Sequence, residues 1–423
     1  MNLWNVRRRA ARLARCGIVG LEAIAGAVLG LAVCRPSAGR PRVAFQAYAS
    51  YLAADFGPLI AHLKADGHVE TLFVVVPHPD YGASERRRLR AMATEQFGFD
   101  EDNVVPLWKT LWWDIDLCIA ADVSAVFPFR PTHRCLLMHG VAIGLREFRP
   151  HPLRPRLADF DSVIVGGQHD GDTIRDQIQD TRHPPRVYVT GLPTFDRFHG
   201  KPSPPPAQVR SGGPPKRPVV LVAPHWRDFR GEAPPPDVRL DQVIAGLRRL
   251  PVQVVLKPHY LMLRGAAGAR VDWASTFDAY ERSGLEFDWE PDDYEALAHA
   301  DVLVTGRSSR ALGFMLMDKP VVLYPTAHPD DDPIQRRRQT LIASAARQAP
   351  SFSSVAPLVD EALRTPADGR RQRQRVADLF YANVGSATER TCEALYAELG
   401  LIPLRSPSRR QRTGSAPRSI RAL

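Results

Sequence analysis

Short apolar runs that are unbroken, not alternating, recur along this chain from residue 41 onward. They read "PRVAFQAYA", "ETLFVVVP", "DLCIAADVSAVF", "HRCLLMHG", "DSVIVGG" and "RVYVTGLP". A strand with one face in water alternates apolar and polar residues, whereas a continuous run is what a strand buried on both faces needs. Helical stretches separate the runs, so the expected fold is α/β, with a parallel sheet covered by helices.

The series is then interrupted by "GKPSPPPAQVRSGGPPKRP", residues 200 to 218. Proline and glycine at that density build neither a helix nor an interior strand, so this is a linker or surface loop. A second series follows in "PVVLVAPHW", "VQVVLKPHY", "ADVLVTG" and "KPVVLY", with helices expected near 239–249, 292–300 and 308–317. The chain reads as helical from about 355 to 400. At 423 residues it is long enough for two ordinary domains, each with its own core. The expected division is a segment 1–36, a first Rossmann-like domain 37–200, the linker 201–218, a second Rossmann-like domain 219–403, and a basic tail 404–423. Two such domains in series place a ligand cleft between them, at the carboxyl ends of the strands.

The net charge of +10 is not spread over these domains. Arg7, Arg8, Arg9, Arg12 and Arg15 at one end, and Arg405, Arg409, Arg410, Arg412, Arg418 and Arg421 at the other, account for it, leaving a nearly neutral body. A nucleic-acid binder would carry its basic stripe on the folded domain, so no nucleic-acid partner is expected. An anionic membrane surface suits basic ends better. Between the first arginines and the domains lies "CGIVGLEAIAGAVLGLAVC", residues 16–34, apolar except for Glu22. It reads as a hydrophobic helix in or across the membrane, as a signal peptide with Cys34 near a cleavage point, or as a buried helix. The five cysteines show no C-x-x-C spacing and suit a reducing compartment with buried thiols.

Polar clusters fall at the ends of the expected strands. "LLMHG" delivers His139, whose imidazole suits a general base near neutral pH, or equally a hydrogen-bonded loop. "VAPHWRD" brings His225 and Arg227; a guanidinium clamps phosphate with its fork of donors, or pairs with Asp228 on the surface. "VLKPHY" ends in Lys257 and His259, a cation and an imidazole either side of a rigid proline, suited to a pyrophosphate leaving group. In "VTGRSSRALG", Ser308 and Ser309 sit where a helix starts, placed to cap it or to bind phosphate. The acids of "PDDDP", Asp330 to Asp332, read as a solvated loop, and no histidine or cysteine set has metal spacing, so neither metal nor cofactor is expected.

Taken in order, these segments resemble the CDP-glycerol glycerophosphotransferase family, the teichoic-acid type polymerases and primases. "MHGVAIG" corresponds to that family's W-H-G-T-P-L-K, "GLPTFD" to G-x-P-R-x-D, "APHWR" to A-P-T-W-R and "KPHY" to K-x-H-P. "DYEALAHADVLVTGRSS" through "DKPVVLY" corresponds to its acidic, serine and Lys-Pro segment. The resemblance spans residues 133 to 324. This chain departs from the pattern at Gly306 and Gly313, where the family has acids, at Arg307 for a tyrosine, and at Thr194 for an arginine.

The resemblance implies a GT-B architecture, two Rossmann-like domains facing across a cleft, preceded here by the hydrophobic N-terminal helix. It implies transfer of a polyol phosphate, glycerol phosphate above all, from a CDP-activated donor to a hydroxyl of a lipid-linked or polysaccharide acceptor, on the cytoplasmic face of the membrane. His139 and His259 are then the catalytic pair, and Arg227, Lys257, Arg307, Ser308 and Ser309 bind the donor phosphates. Two alternatives remain open from sequence: a glycosyltransferase of the same fold using a nucleotide sugar for capsule or lipopolysaccharide, and a membrane-tethered binding module whose site has decayed.

Overall fold

The computed structural model describes residues 39–402 apart from 79–80, 124–132, 141–156, 200–216, 226–227, 229–235, 260–261, 263–271, 291–292, 307 and 327–331. The expected hydrophobic helix at 16–34, most of the linker and the basic tail lie outside the described residues. Among the described residues no helix is long and apolar enough to cross a membrane.

The first series of apolar runs forms a seven-stranded sheet in the order β3-β2-β1-β4-β5-β6-β7. Its strands are β1 (Arg42–Ala47), β2 (Glu70–Val75), β3 (Val104–Pro106), β4 (Leu117–Ala120), β5 (His133–Leu137), β6 (Ser162–Val165) and β7 (Arg186–Val189). The second series forms a six-stranded sheet, β10-β9-β8-β11-β12-β13. These are β8 (Val219–Ala223), β9 (Gln253–Leu256), β10 (Glu286–Phe287), β11 (Val302–Thr305), β12 (Val321–Leu323) and β13 (Arg347–Gln348). Every pairing in both sheets is parallel. β1, β4, β6 and β11 are buried along their whole length, as unbroken apolar runs require. Cys118, Cys135 and Cys392 are buried free thiols, and burial pushes the first two up to about 12.

Helices α1 (Gly57–Asp66), α2 (Ala83–Ala91) and α3 (Gln168–Ile178) belong to the first unit. In the second, α4 (Tyr294–His299) and α5 (Arg310–Leu316) flank β11. The lysine of "DKP", Lys319, is buried and donates to the carbonyls of Leu297, Ala298 and Ala300, closing the end of α4.

The chain returns to the first unit through α6 (Arg370–Phe380) and α7 (Ala387–Glu398). Arg373 in α6, 1% exposed, ties that helix to the second unit through Asp318 and the carbonyls of Pro366 and Asp368. α7 is tied to the first unit: Glu398 meets Arg186, Tyr188 and His133, Tyr396 meets Asp66, and Thr391 meets Thr190. The segment between them runs so close to the first unit that a Cβ on Gly191 would stand 2.2 Å from the Ala382 carbonyl oxygen, and its φ of +86° is itself a glycine conformation.

Asp196, the acid of "GLPTFD", holds that segment. Its carboxylate accepts from the backbone N–H groups of Gly385, Ala387 and Thr388 and from the Thr388 hydroxyl, at 2.7–2.9 Å. These are amide groups at the start of α7 that have no partner inside the helix. Asp196→Ala is expected to lower stability against urea by about 2 kcal/mol. A change below about 0.5 kcal/mol, the range of an ordinary surface substitution, would mean that the clamp does not hold the return segment.

Candidate active site

The strand ends of the two sheets face a cleft of about 560 Å3. The first unit lines it with Tyr51, Glu85, His139, Phe195 and Arg197, and the second with His225, Lys257, His259, Trp289, Ser309 and Arg310, among others. The structure therefore brings together His139, His259, Lys257, Ser308 and Ser309, the first from a loop more than a hundred positions before the others in sequence. Arg227 and Arg307 lie outside the described residues.

His139 follows β5. Its Nδ1 lies 2.5 Å from the Ala121 carbonyl oxygen, an atom that can only accept, so Nδ1 carries the hydrogen. In the neutral ring Nε2 then holds the lone pair. Tyr51 stands edge-on to the imidazole at 6.3 Å between ring centres. The loop hydrogen bond and the general base were alternatives from sequence; the geometry makes the first the means of fixing the tautomer that the second needs.

Across the cleft, Lys257 follows β9 and is 1% exposed. Its ammonium donates to the Glu290 carbonyl at 2.7 Å and lies 3.0 Å from Asp288 and 3.7 Å from Asp293. The lysine thus fastens Asp288, Glu290 and Asp293 to the cleft wall as well as lining it. Arg310, at the start of α5, pairs with Asp293 at 2.8 Å and donates to the Lys257 carbonyl. Ser308 is buried and its Oγ accepts from the Arg310 N–H at 3.2 Å, a local cap. Ser309, the residue immediately before α5, makes no side-chain cap, and it lines the cleft as Ser308 does. The His225 and His259 rings meet edge to face at 4.8 Å.

Asp228, buried at 1%, accepts from the His225 N–H at 2.8 Å and from the Tyr324 hydroxyl at 2.6 Å. Burial, then the Asp228 charge, pushes the Tyr324 phenol well above its ordinary value, so it stays a donor. The carboxylate packs against Gly306, where a Cβ would lie 2.5 Å from it. That contact explains one departure from the family pattern: a side chain at 306 would need the space Asp228 fills. Gly306→Ala is expected to cost about 1–3 kcal/mol in urea unfolding. Gly306→Asp is expected to cost more, since two carboxylates would meet; unchanged stability in Gly306→Asp would show that Asp228 swings aside.

Two arginines in the cleft wall escaped the sequence reading. Arg310 follows the serines directly in "GRSSR", a signal available but unused. Arg197 folds back to donate to the Thr194 hydroxyl at 3.0 Å and lies over the Tyr294 ring at 4.6 Å. It brings a guanidinium beside the threonine that stands for the family's arginine, which only the turn at Pro193–Phe198 could reveal.

Two parallel-sheet units facing across a cleft, with a tautomer-fixed histidine on one wall and serines and paired cations on the other, define the GT-B architecture. Residues 176–396, just over half of the chain, match the model of the CDP-Glycerol:Poly(glycerophosphate) glycerophosphotransferase family. The chain belongs to that family and is a glycerophosphotransferase-like transferase. Among solved structures it is similar to a histidine-to-alanine variant of the wall teichoic acid polymerase TagF, at 11% identity and a TM-score of 0.56, covering 90% of this chain and 98% of that one. It is also similar to a histidine-to-asparagine TagF variant soaked with CDPG, at 11% identity and a TM-score of 0.54, covering 90% and 97%. A UDP-N-acetylglucosamine 2-epimerase shares the fold at 14% identity and a TM-score of 0.53, covering 87% and 98%. No curated protein matches the sequence.

Proposed function

We propose that the protein transfers glycerol phosphate, or a related polyol phosphate, from a CDP-activated donor to a hydroxyl of a lipid-linked or polysaccharide acceptor in cell-envelope polymer synthesis. The observation that carries this reading is the convergence in one cleft of His139 from the first unit with His259, Ser309 and Arg310 from the second. The acceptor hydroxyl attacks the β-phosphorus of the donor and gives its proton to Nε2 of His139. A new P–O bond forms as the bond from the β-phosphorus to the bridging oxygen breaks, and CMP leaves with that oxygen. Arg310, with Arg227 and Arg307, offsets the charge that develops on the departing phosphate, helped by His259. Lys257 supports the same wall by holding Asp288 and Glu290. The basic, apolar N-terminal segment keeps the enzyme on the cytoplasmic face of the membrane, where a nucleotide donor and a lipid-linked acceptor meet.

The purified chain, given membrane extract as acceptor, is expected to release CMP from CDP-glycerol. His139→Ala should lower that rate by about 100-fold or more. Release of UDP or GDP from a nucleotide sugar would instead favour a glycosyltransferase, and nucleotide binding without turnover would favour a binding module.

The two serines are expected to separate. Ser309→Ala should weaken CDP-glycerol binding by roughly 10- to 100-fold, the loss of one hydrogen bond to a charged group, without lowering the melting temperature. Ser308→Ala removes a cap and should cost about 1 kcal/mol of stability as well. Unchanged donor affinity in both variants would place the phosphate elsewhere.

A further inference from the structure

Trp289 is 44% exposed and, among the described residues, is the one tryptophan, tyrosine or phenylalanine left that open. One exposed aromatic is ordinary on a protein surface; this one is set apart by how its ring is held. Its position is fixed with unusual completeness. The ring stacks on Phe287 at 5.0 Å between centres with 12° between planes, meets the edge of Phe277 at 6.0 Å, and donates from Nε1 to Glu281 at 3.1 Å. The backbone around it is pinned too. Asp288 N–H bonds to the Leu256 carbonyl, Glu290 N–H to the Asp288 carboxylate, and Lys257 to the Glu290 carbonyl. The result is a rigid, flat, open aromatic surface on the wall of the cleft.

We propose that Trp289 is the stacking platform for the donor's nucleobase and that Glu290 selects cytosine over uracil; this rests on the cytidine-donor reading above. Placement supports it. Trp289 follows β10, and β10 is separated from β11, the strand leading to the serines, by β9 and β8. Three interstrand steps put those strand ends about 14 Å apart, a separation that a nucleoside diphosphate lying along the cleft bridges with its base at one end and its phosphates at the other. Chemistry supports the selection. Cytosine presents an exocyclic amine where uracil presents a carbonyl oxygen. Glu290 lines the same cleft next to Trp289, and a carboxylate accepts from the first and repels the second. A preorganised ring adds affinity because no side-chain freedom is lost when the base arrives.

The test is calorimetric titration of the full chain with CDP, UDP and inorganic pyrophosphate. Trp289→Ala should weaken CDP binding roughly 10- to 100-fold, the range for loss of one stacked base, and leave pyrophosphate affinity unchanged. Trp289→Phe, which keeps an aromatic face and guards against a folding defect in the alanine variant, should stay within about threefold of wild type. Glu290→Gln should reduce the preference for CDP over UDP about tenfold, chiefly by improving UDP. CDP affinity unaltered in Trp289→Ala, or an equal loss for CDP and pyrophosphate, overturns the platform and leaves the proposed reaction standing. A wild-type preference for UDP overturns the cytidine donor and the role of Glu290, while a loss of UDP binding in Trp289→Ala would still uphold the platform.

Discussion

One carboxylate determines how the two halves of this molecule come to share a site. Asp196 accepts the open amides at the start of α7, and the turn that carries it also carries Phe195, Arg197 and Phe198 into the cleft. Phe195 packs on Tyr381 at 4.6 Å and Phe198 on Tyr294 at 4.9 Å, so the same six residues touch the return segment and the second unit. Tyr294 donates to the Arg197 carbonyl from the other side. Geometry at the cleft therefore depends on a short turn whose anchoring is electrostatic on one face and aromatic on the other.

The charges in the cleft are arranged in the same economical way. Lys257 and Arg310 share Asp293, and Asp288 and the Glu290 carbonyl also meet the lysine. Cations paired in this manner keep their direction before a ligand enters, and an anionic donor meets dipoles and partly neutralised charges that need little rearrangement. It also reconciles a nearly neutral body with the binding of an anion, since local order and not net charge supplies the attraction.

How far the sequence foretold this follows from strand position. The runs that read as strands are the interior ones, where unbroken valine, leucine and isoleucine record burial on both faces, and one edge strand, β7, whose four residues are long enough to be read although none is buried. β3, β10 and β13 went unseen, and all three are two- or three-residue strands at sheet edges. An edge needs little apolar sequence, so there is little to read. At the site, His139, Lys257, His259 and the serines were legible because each directly follows such a strand. Arg197 reaches the cleft only by folding back on Thr194, and the carboxylate of Asp228 fills the space over Gly306 only because a distant tyrosine receives it; neither contact has a local pattern. Lys257 was legible as a cation but not as a fastening, since its partners come from the loop after another strand.

The return of the chain has a consequence for biogenesis. Arg186 and Glu398 are partners across 212 positions, so the unit synthesised first lacks one of its helices until the second has left the ribosome. Its buried Thr190 and the groove beside α1 stay open through that interval, which is when a chaperone would find them. Neither half can then be expected to mature alone, and cutting the chain between its sheets would divide one folding unit into two incomplete ones.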